Sequence, residues 1–210
     1  MSDPIGGKAS GLLALKALRL PIPQTAVVAE LPESFPEFGS DRVIIRPSER
    51  GVTLHDAVSA QSVSGALESV VADATSWPTL REHYAVHASP RIASFVLQPY
   101  VEADLGVMGH TSVREALTFI AVAYSLVTLA QGGQEVFEAV IQPDQQRFFT
   151  RSSIVPDRIS DLLAHLFEHL PLLLQWKYSD TVEWEAALRG DRLFFLQAQA
   201  STAEIPDWSR

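Results

Sequence analysis

Residues 181–188 alternate polar and apolar side chains with a period of two, and Gly190-Asp191 separates them from a second apolar run at residues 192–198. Alternation of this kind requires a strand with one buried face, and a glycine-led pair between two such runs requires a tight reversal. The chain therefore ends in an antiparallel hairpin. Thr181, Glu183 and Glu185 share one face of its first strand, and Gln197 and Gln199 share a face of the second. Any fold available to this sequence must shelter the apolar side of that hairpin.

Other segments supply both kinds of element. Residues 157–176 form the clearest amphipathic helix, with Ile159, Leu162, Leu163, Leu166 and Phe167 on one face. Residues 10–19 place Leu12, Leu15 and Leu18 at helical spacing, with Ser10 as the expected cap and Gly6-Gly7-Lys8 as a preceding loop. Short apolar strands are expected at residues 25–29, 42–46 and 93–100, the second stopped by Pro47 and the third by Pro99. A helix is expected from Ser64 through Val71, and a second helical piece over residues 79–87. Residues 106–112 and 115–129 fit strand or buried helix equally. A turn falls at Gly132-Gly133, and residues 135–141 and 146–150 read as a hairpin around Pro143-Asp144. Strands and helices without regular alternation give an α+β class.

Composition removes several functions. Among 210 residues, 25 acidic against 16 basic side chains leave a net charge of −9, the wrong balance for binding a phosphate backbone, so no nucleic acid partner is expected. With no cysteine there is no disulfide framework, thiolate zinc site or cysteine nucleophile. No run reaches the roughly 18 apolar residues of a membrane span, and MSDPIGGKAS has no basic start and apolar run. A cytoplasmic protein without membrane association is the simplest expectation. There is no G-x-S-x-G elbow, and Gly6-Gly7-Lys8 lacks the first glycine and trailing hydroxyl of a P-loop.

Four features carry candidate chemistry. Lys8 is one of only three lysines among 16 basic residues and follows a glycine pair at a helix N-terminus, a place suited to phosphate. Arg46 ends an apolar strand beside a loop, where a guanidinium meets phosphate bidentately, the competing reading being an ion pair with Glu49 or Asp41. Glu183 and Gln197, on neighbouring strands, offer two oxygens to a hard cation such as magnesium, although a solvated hairpin face would look the same. His165-Leu166-Phe167-Glu168-His169 matches H-x-x-E-H, with both imidazoles on one helical face. Its apolar neighbours and the lack of a downstream acidic ligand make ordinary packing without metal the expectation there, and His83 and His87 merit no more.

The order of these pieces resembles a known family. GGKASGLLALKALRLPIPQTAVV is similar to the opening of the nucleotide-binding domain of pyruvate phosphate dikinase and phosphoenolpyruvate synthase, and to that of rifampin phosphotransferase. VIIRPSERG, FVLQPYVEADLGVMGHT, GGQEVFEAVIQPD and VEWEAALRGDRLFFLQAQ follow in that family's order, over nearly residues 4–200. The resemblance implies an ATP-grasp fold. Residues 1–93 and 94–200 would form two lobes around a nucleotide cleft, with residues 201–210 as a tail and the strand containing Gln98 at the base of the cleft.

The same resemblance implies ATP and Mg2+ as cofactors. It places Lys8 and Arg46 at the phosphates, adenine at Gln98, Pro99, Tyr100 and Val101, largely through backbone, and Glu183 and Gln197 at magnesium and phosphate positions. Arg46 and Glu183 would be catalytic. Thr181 stands where the family has aspartate, Gln199 where it has arginine, and Gln134 where it has glutamate, with Glu135 one step away. Each change removes a metal ligand or a phosphate donor.

Three functions follow as alternatives. The first is an ATP-dependent phosphotransferase unit acting with a phosphohistidine-domain partner in trans, expected because none follows Arg210, or on a small-molecule acceptor. The second is a non-catalytic homologue that binds a partner enzyme. The third is an ATP-grasp ligase.

Overall fold

The computed structural model describes residues 5–50, 54, 68–87, 90–126, 129, 135–153, 156–206 and 208. The expected Gly132-Gly133 turn, Gln134 and the start of the helix expected at Ser64 lie outside these residues. Among the described residues, two antiparallel sheets and three α-helices make up the fold.

The first sheet has the order β1-β4-β2-β3, from β1 (Ala26–Val28), β2 (Arg42–Glu49), β3 (Val70–Asp73) and β4 (Ile92–Pro99). The second has the order β10-β9-β5-β6-β7-β8. Its strands are β5 (Leu105–Ser112), β6 (Leu117–Ala123), β7 (Phe137–Gln142), β8 (Arg147–Phe149), β9 (Thr181–Arg189) and β10 (Arg192–Ala200). The sheets exchange between Pro99 and Leu105, a few residues beyond the expected lobe boundary at 93/94, because all of β4 pairs within the first sheet.

Three expectations need correction. Pro47 does not end β2, which continues to Glu49. From Arg46 onward, among the described residues, β2 pairs with β4 alone, since pairing with β3 ends at Ile45. A proline is tolerated where a strand has a free side, because its missing N–H then breaks no ladder bond. Val70 and Val71 form a strand rather than a helix; they pair with Ile45 and Ile44, where β-branched side chains suit the pleat. Ser10 is no cap, since α1 (Gly7–Ala17) begins three residues earlier and includes Gly7 and Lys8.

The start of α1 is fixed by another element. Gly6 has φ +81°, and a Cβ there would collide with Ser48 and with the Glu49 carbonyl. Ser48, fully buried on β2, accepts the Ala9 N–H at 3.1 Å. That hydroxyl satisfies one of the orphan donors of the first turn, the task usually performed by a capping side chain of the same helix. Small residues then let α1 lie close on β10. Gly11 sits over the Ala198 carbonyl with no space for a side chain.

Two hydrophobic clusters result. The larger lies between the second sheet and α1 with α3 (Ile159–Leu173); it includes Leu12, Leu15, Ile120, Leu162, Leu166, Trp184 and Phe195. Each such side chain contributes roughly 1.5–3 kcal/mol on burial. The smaller joins Val43, Ile45, Phe95 and Leu97 of the first sheet to Trp77 on α2 (Trp77–His87). At the C-terminus Ser201 continues the β10 pairing by donating its N–H to the Thr181 carbonyl, and Trp208 meets Phe119 edge to face. Among the described residues no helix is long and apolar enough to cross a membrane.

The packing of α1 gives a test. Gly11→Ala forces a methyl group into backbone that cannot swing aside, so urea unfolding should show a loss of about 1–3 kcal/mol. Ser48→Ala should cost about 1–3 kcal/mol by leaving the Ala9 N–H buried and unpaired. Unchanged midpoints for both variants would show that α1 is not held as described.

Candidate functional site

The antiparallel register assembles a polar face on the second sheet. Strand β9 alternates Val182, Trp184 and Ala186 toward the core with Thr181, Glu183 and Glu185 on the other side. Register pairs Glu183 with Gln199 on β10 and with His110 on β5, and Glu185 with Gln197 and Met108. A shift between Phe195 and Gln197 sets this pairing. Glu183 and Gln197, expected to share a cation, are thus diagonal neighbours, and the direct partner of Glu183 is Gln199, whose Nε2 donates to Glu183 Oε1 at 3.4 Å.

Arg46 reaches this face from the first sheet. Its Nη1 donates to Gln197 Oε1 at 3.4 Å and stands 3.7 Å from Glu185 Oε2. Neither Glu49 nor Asp41, the competing partners read from the sequence, forms its ion pair; Glu49 instead stands 3.2 Å from Arg91 Nε. Lys8, in the first turn of α1, shares the electrostatic environment of Arg46, Glu185 and Glu49. Lys8, Arg46 and Gln197 are therefore brought together, and Glu183 lies one row away.

Burial makes these charges costly. Desolvation, aided by the neighbouring Arg46 cation, holds the Lys8 ammonium below its ordinary pKa, while Glu185 and Glu49 act in the opposite sense. Desolvation and the Glu185 charge raise Glu183, against the hydrogen bond from Gln199. Burial is thus the main cost to both charges, with a like neighbour adding to it, and a ligand bringing charge of both signs would offset it.

Three buried polar atoms lack hydrogen-bond partners: Arg46 Nε, Gln98 Oε1 and Glu49 Oε1, the last of which has the ion pair with Arg91. Gln98 is 1% exposed and donates its Nε2 to Thr25 Oγ1 at 3.0 Å, leaving its oxygen unsatisfied. Unsatisfied buried polar atoms are rare in folded proteins and mark places where a ligand completes the bonding. Of the backbone expected around an adenine, the Tyr100 N–H is already committed to the Arg42 carbonyl at 2.9 Å, and Arg42 lies over the Tyr100 ring. Val101, half-buried, follows the end of β4. Thr181 opens β9 with Asp180 exposed beside it.

Sequence reasoning missed two residues. Glu185 was legible as the next step in the period-two face, but its partner was not. His110, opposite Glu183, comes from a segment whose strand character was left open; its Nδ1 lies 3.4 Å from Ser201 Oγ, and burial pushes its pKa down.

A scan against protein-family models and a search of curated proteins give no match. Solved structures do match. A RimK domain ATP-grasp protein from Sphaerobacter thermophilus is similar over 93% of this chain and 60% of its own, at 13% identity and TM-score 0.50. An L-amino acid ligase from Bacillus licheniformis matches over 94% of this chain and 43% of its own, at 10% identity and TM-score 0.50. The D-alanine–D-alanine ligase of Bacillus anthracis, solved with ATP, matches over 92% and 54%, at 7% identity and TM-score 0.47. The fold is ATP-grasp, on the likeness to the Sphaerobacter thermophilus structure. The chain spans about half the length of these ATP-grasp chains. Likeness specific to pyruvate phosphate dikinase is not among these matches.

The depressed Lys8 pKa has a measurable sign. Between that lowered value and the ordinary 10.5 the unfolded chain binds the extra proton, so Lys8 makes stability rise with pH across this window. Lys8→Met should remove that rise and leave the chain without nucleotide at least as stable at pH 7, judged by thermal unfolding. A loss of several degrees would instead make Lys8 a structural residue.

Proposed function

We propose that this ATP-grasp unit binds ATP with Mg2+ and directs phosphoryl transfer to an acceptor carboxylate, the chemistry of a ligase. The observation that carries the nucleotide reading is the meeting of Lys8, Arg46 and Gln197 beside Glu183 and Glu185, with Arg46 Nε buried and unpaired. Lys8 and Arg46 would hold phosphate oxygens, where a guanidinium and an ammonium neutralise charge that builds during transfer. Glu183, with Gln197 or Gln199, would hold the magnesium through oxygen ligands. Gln98 would use its unsatisfied oxygen toward the base, with backbone at Tyr100 and Val101 alongside.

The ligase reading draws on the named function of the Bacillus licheniformis structure and on the fold. A second reading, dikinase-type transfer to a phosphohistidine partner or a small acceptor, draws on the five ordered segments that resemble that family. The loss of a carboxylate at Thr181 and of an arginine at Gln199 weakens both as catalysts and favours binding over turnover. A partner-binding role without catalysis is the limit of that trend.

Calorimetric titration tests the site. ATP with Mg2+ should bind the wild-type chain, and Lys8→Ala should weaken binding about tenfold to a hundredfold, the equivalent of roughly 1.5–3 kcal/mol for a charged hydrogen bond. Glu183→Gln should mainly abolish the magnesium dependence. A silent wild-type titration would overturn the nucleotide reading. The product then separates the reactions, since transfer of one phosphoryl group to a carboxylate leaves ADP, whereas a dikinase-type step consumes both anhydride bonds and leaves AMP.

A further inference from the structure

A second cluster of ligating side chains lies away from the polar face. On α3, nitrogen and oxygen donors of His165, Glu168 and His169 all fall within 4.8 Å of one another. Among the described residues they form the only group of three or more His, Cys, Asp or Glu donors so arranged. The spacing i, i+3, i+4 puts all three on one face of the helix. The two imidazoles are already parallel, with ring centroids 6.4 Å apart and planes 7° apart. His169 packs edge-on against Phe195 at 6.3 Å, so one ring is held by the buried core. Both histidines are half-buried and Glu168 is exposed, which leaves the cluster open to an ion from solvent.

We propose that His165, Glu168 and His169 form a binding site for one divalent transition-metal ion of the zinc class. Zinc takes imidazole nitrogens at about 2.0–2.1 Å and carboxylate oxygens at about 2.0–2.2 Å, usually in tetrahedral geometry. Donors spread over less than 5 Å reach that geometry by side-chain rotation alone, without movement of the helix. Three protein ligands leave the fourth position to water. The reading of the sequence expected packing because no downstream acid was in view; the third donor stands inside the motif, one turn from His165. The pair His83 and His87 on α2 makes the contrast, with centroids 5.1 Å apart but planes 47° apart and, among the described residues, no third donor in range.

The site is independent of the nucleotide site. Phe195 packs against Trp184, on the face of the sheet opposite Glu183 and Glu185. The donor set is also of another class: imidazole suits zinc, copper and nickel, whereas magnesium prefers oxygen ligands.

The test uses the tag-free chain, stripped with a chelator and titrated with Zn2+ against a chromophoric competitor. One equivalent should bind and raise the unfolding temperature, because a ligand specific to the folded state stabilises it by mass action. His165→Ala and His169→Ala should each weaken binding at least about tenfold, while His83→Ala/His87→Ala should leave it unchanged. Should His169→Ala disturb the packing on Phe195, His165→Gln and Glu168→Gln serve in its place, with far-UV circular dichroism confirming the helix. Millimolar Mg2+ should not displace the ion. Zinc binding that survives loss of both His165 and His169, no binding by the wild type, or equal displacement by Mg2+ would each overturn the proposal.

Discussion

The ion pair between Arg46 and Glu185 ties the two sheets together at the polar site. Arg46 belongs to β2 of the first sheet, Glu185 and Gln197 to the hairpin that ends the second, and the contacts of 3.7 and 3.4 Å cross between them. Arg46 is 8% exposed, so its charge could not persist there without a partner of opposite sign. Its surroundings follow from that placement. Ser48, two residues on and on the same face of β2, holds the first turn of α1, and that turn brings Lys8 toward the same carboxylates. One strand thus places both cations.

The parts legible in the sequence are those written in a single period. The amphipathic α3 and the β9–β10 hairpin were read nearly to their ends, because burial of one face leaves an unambiguous pattern. Where two neighbours decide, the pattern fails. Val70 and Val71 carry an apolar signal that fits either element, and only pairing with Ile44 and Ile45 selects the strand. Pro47 would break a central strand but not one with a free side, a distinction set by where β3 stops pairing. The candidate site divides in the same way. Lys8, Arg46 and Gln197 were recognisable by residue type and order along the chain. The pairing of Glu183 with Gln199 depends on a register shift at Phe195, which no periodicity announces. The three donors on α3 sit within five residues, so their convergence is a local helical property, hidden only by the apolar residues around them.

Charge balance across the β9–β10 hairpin bears on the positions where the sequence differs from the dikinase motif it resembles. Where that motif has an aspartate and an arginine, this chain has Thr181 and Gln199, one charge fewer of each sign, so the balance across the hairpin is the same. Gln199 donates to Glu183 at 3.4 Å without a formal charge. Burial and the Glu185 charge raise the Glu183 pKa, and a hydrogen bond from a neutral amide opposes them less than a guanidinium would.

The consequence for function lies in the difference between holding a ligand and driving a reaction. Phosphoryl transfer depends on fixed positive charge and metal positioned where negative charge develops, and each missing group lowers the rate directly. Binding needs only that the bound state relieve strain already present. Lys8 and Arg46 repel one another, Glu183 and Glu185 repel one another, and Arg46 Nε and Gln98 Oε1 lack partners. On the reading proposed above, a nucleotide with its metal would address these together, with phosphate at the cations, the metal at the carboxylates and the base at Gln98. Affinity from that source would survive substitutions that cripple turnover, because it depends on the buried charges at Lys8, Arg46, Glu183 and Glu185 and not on Thr181 or Gln199.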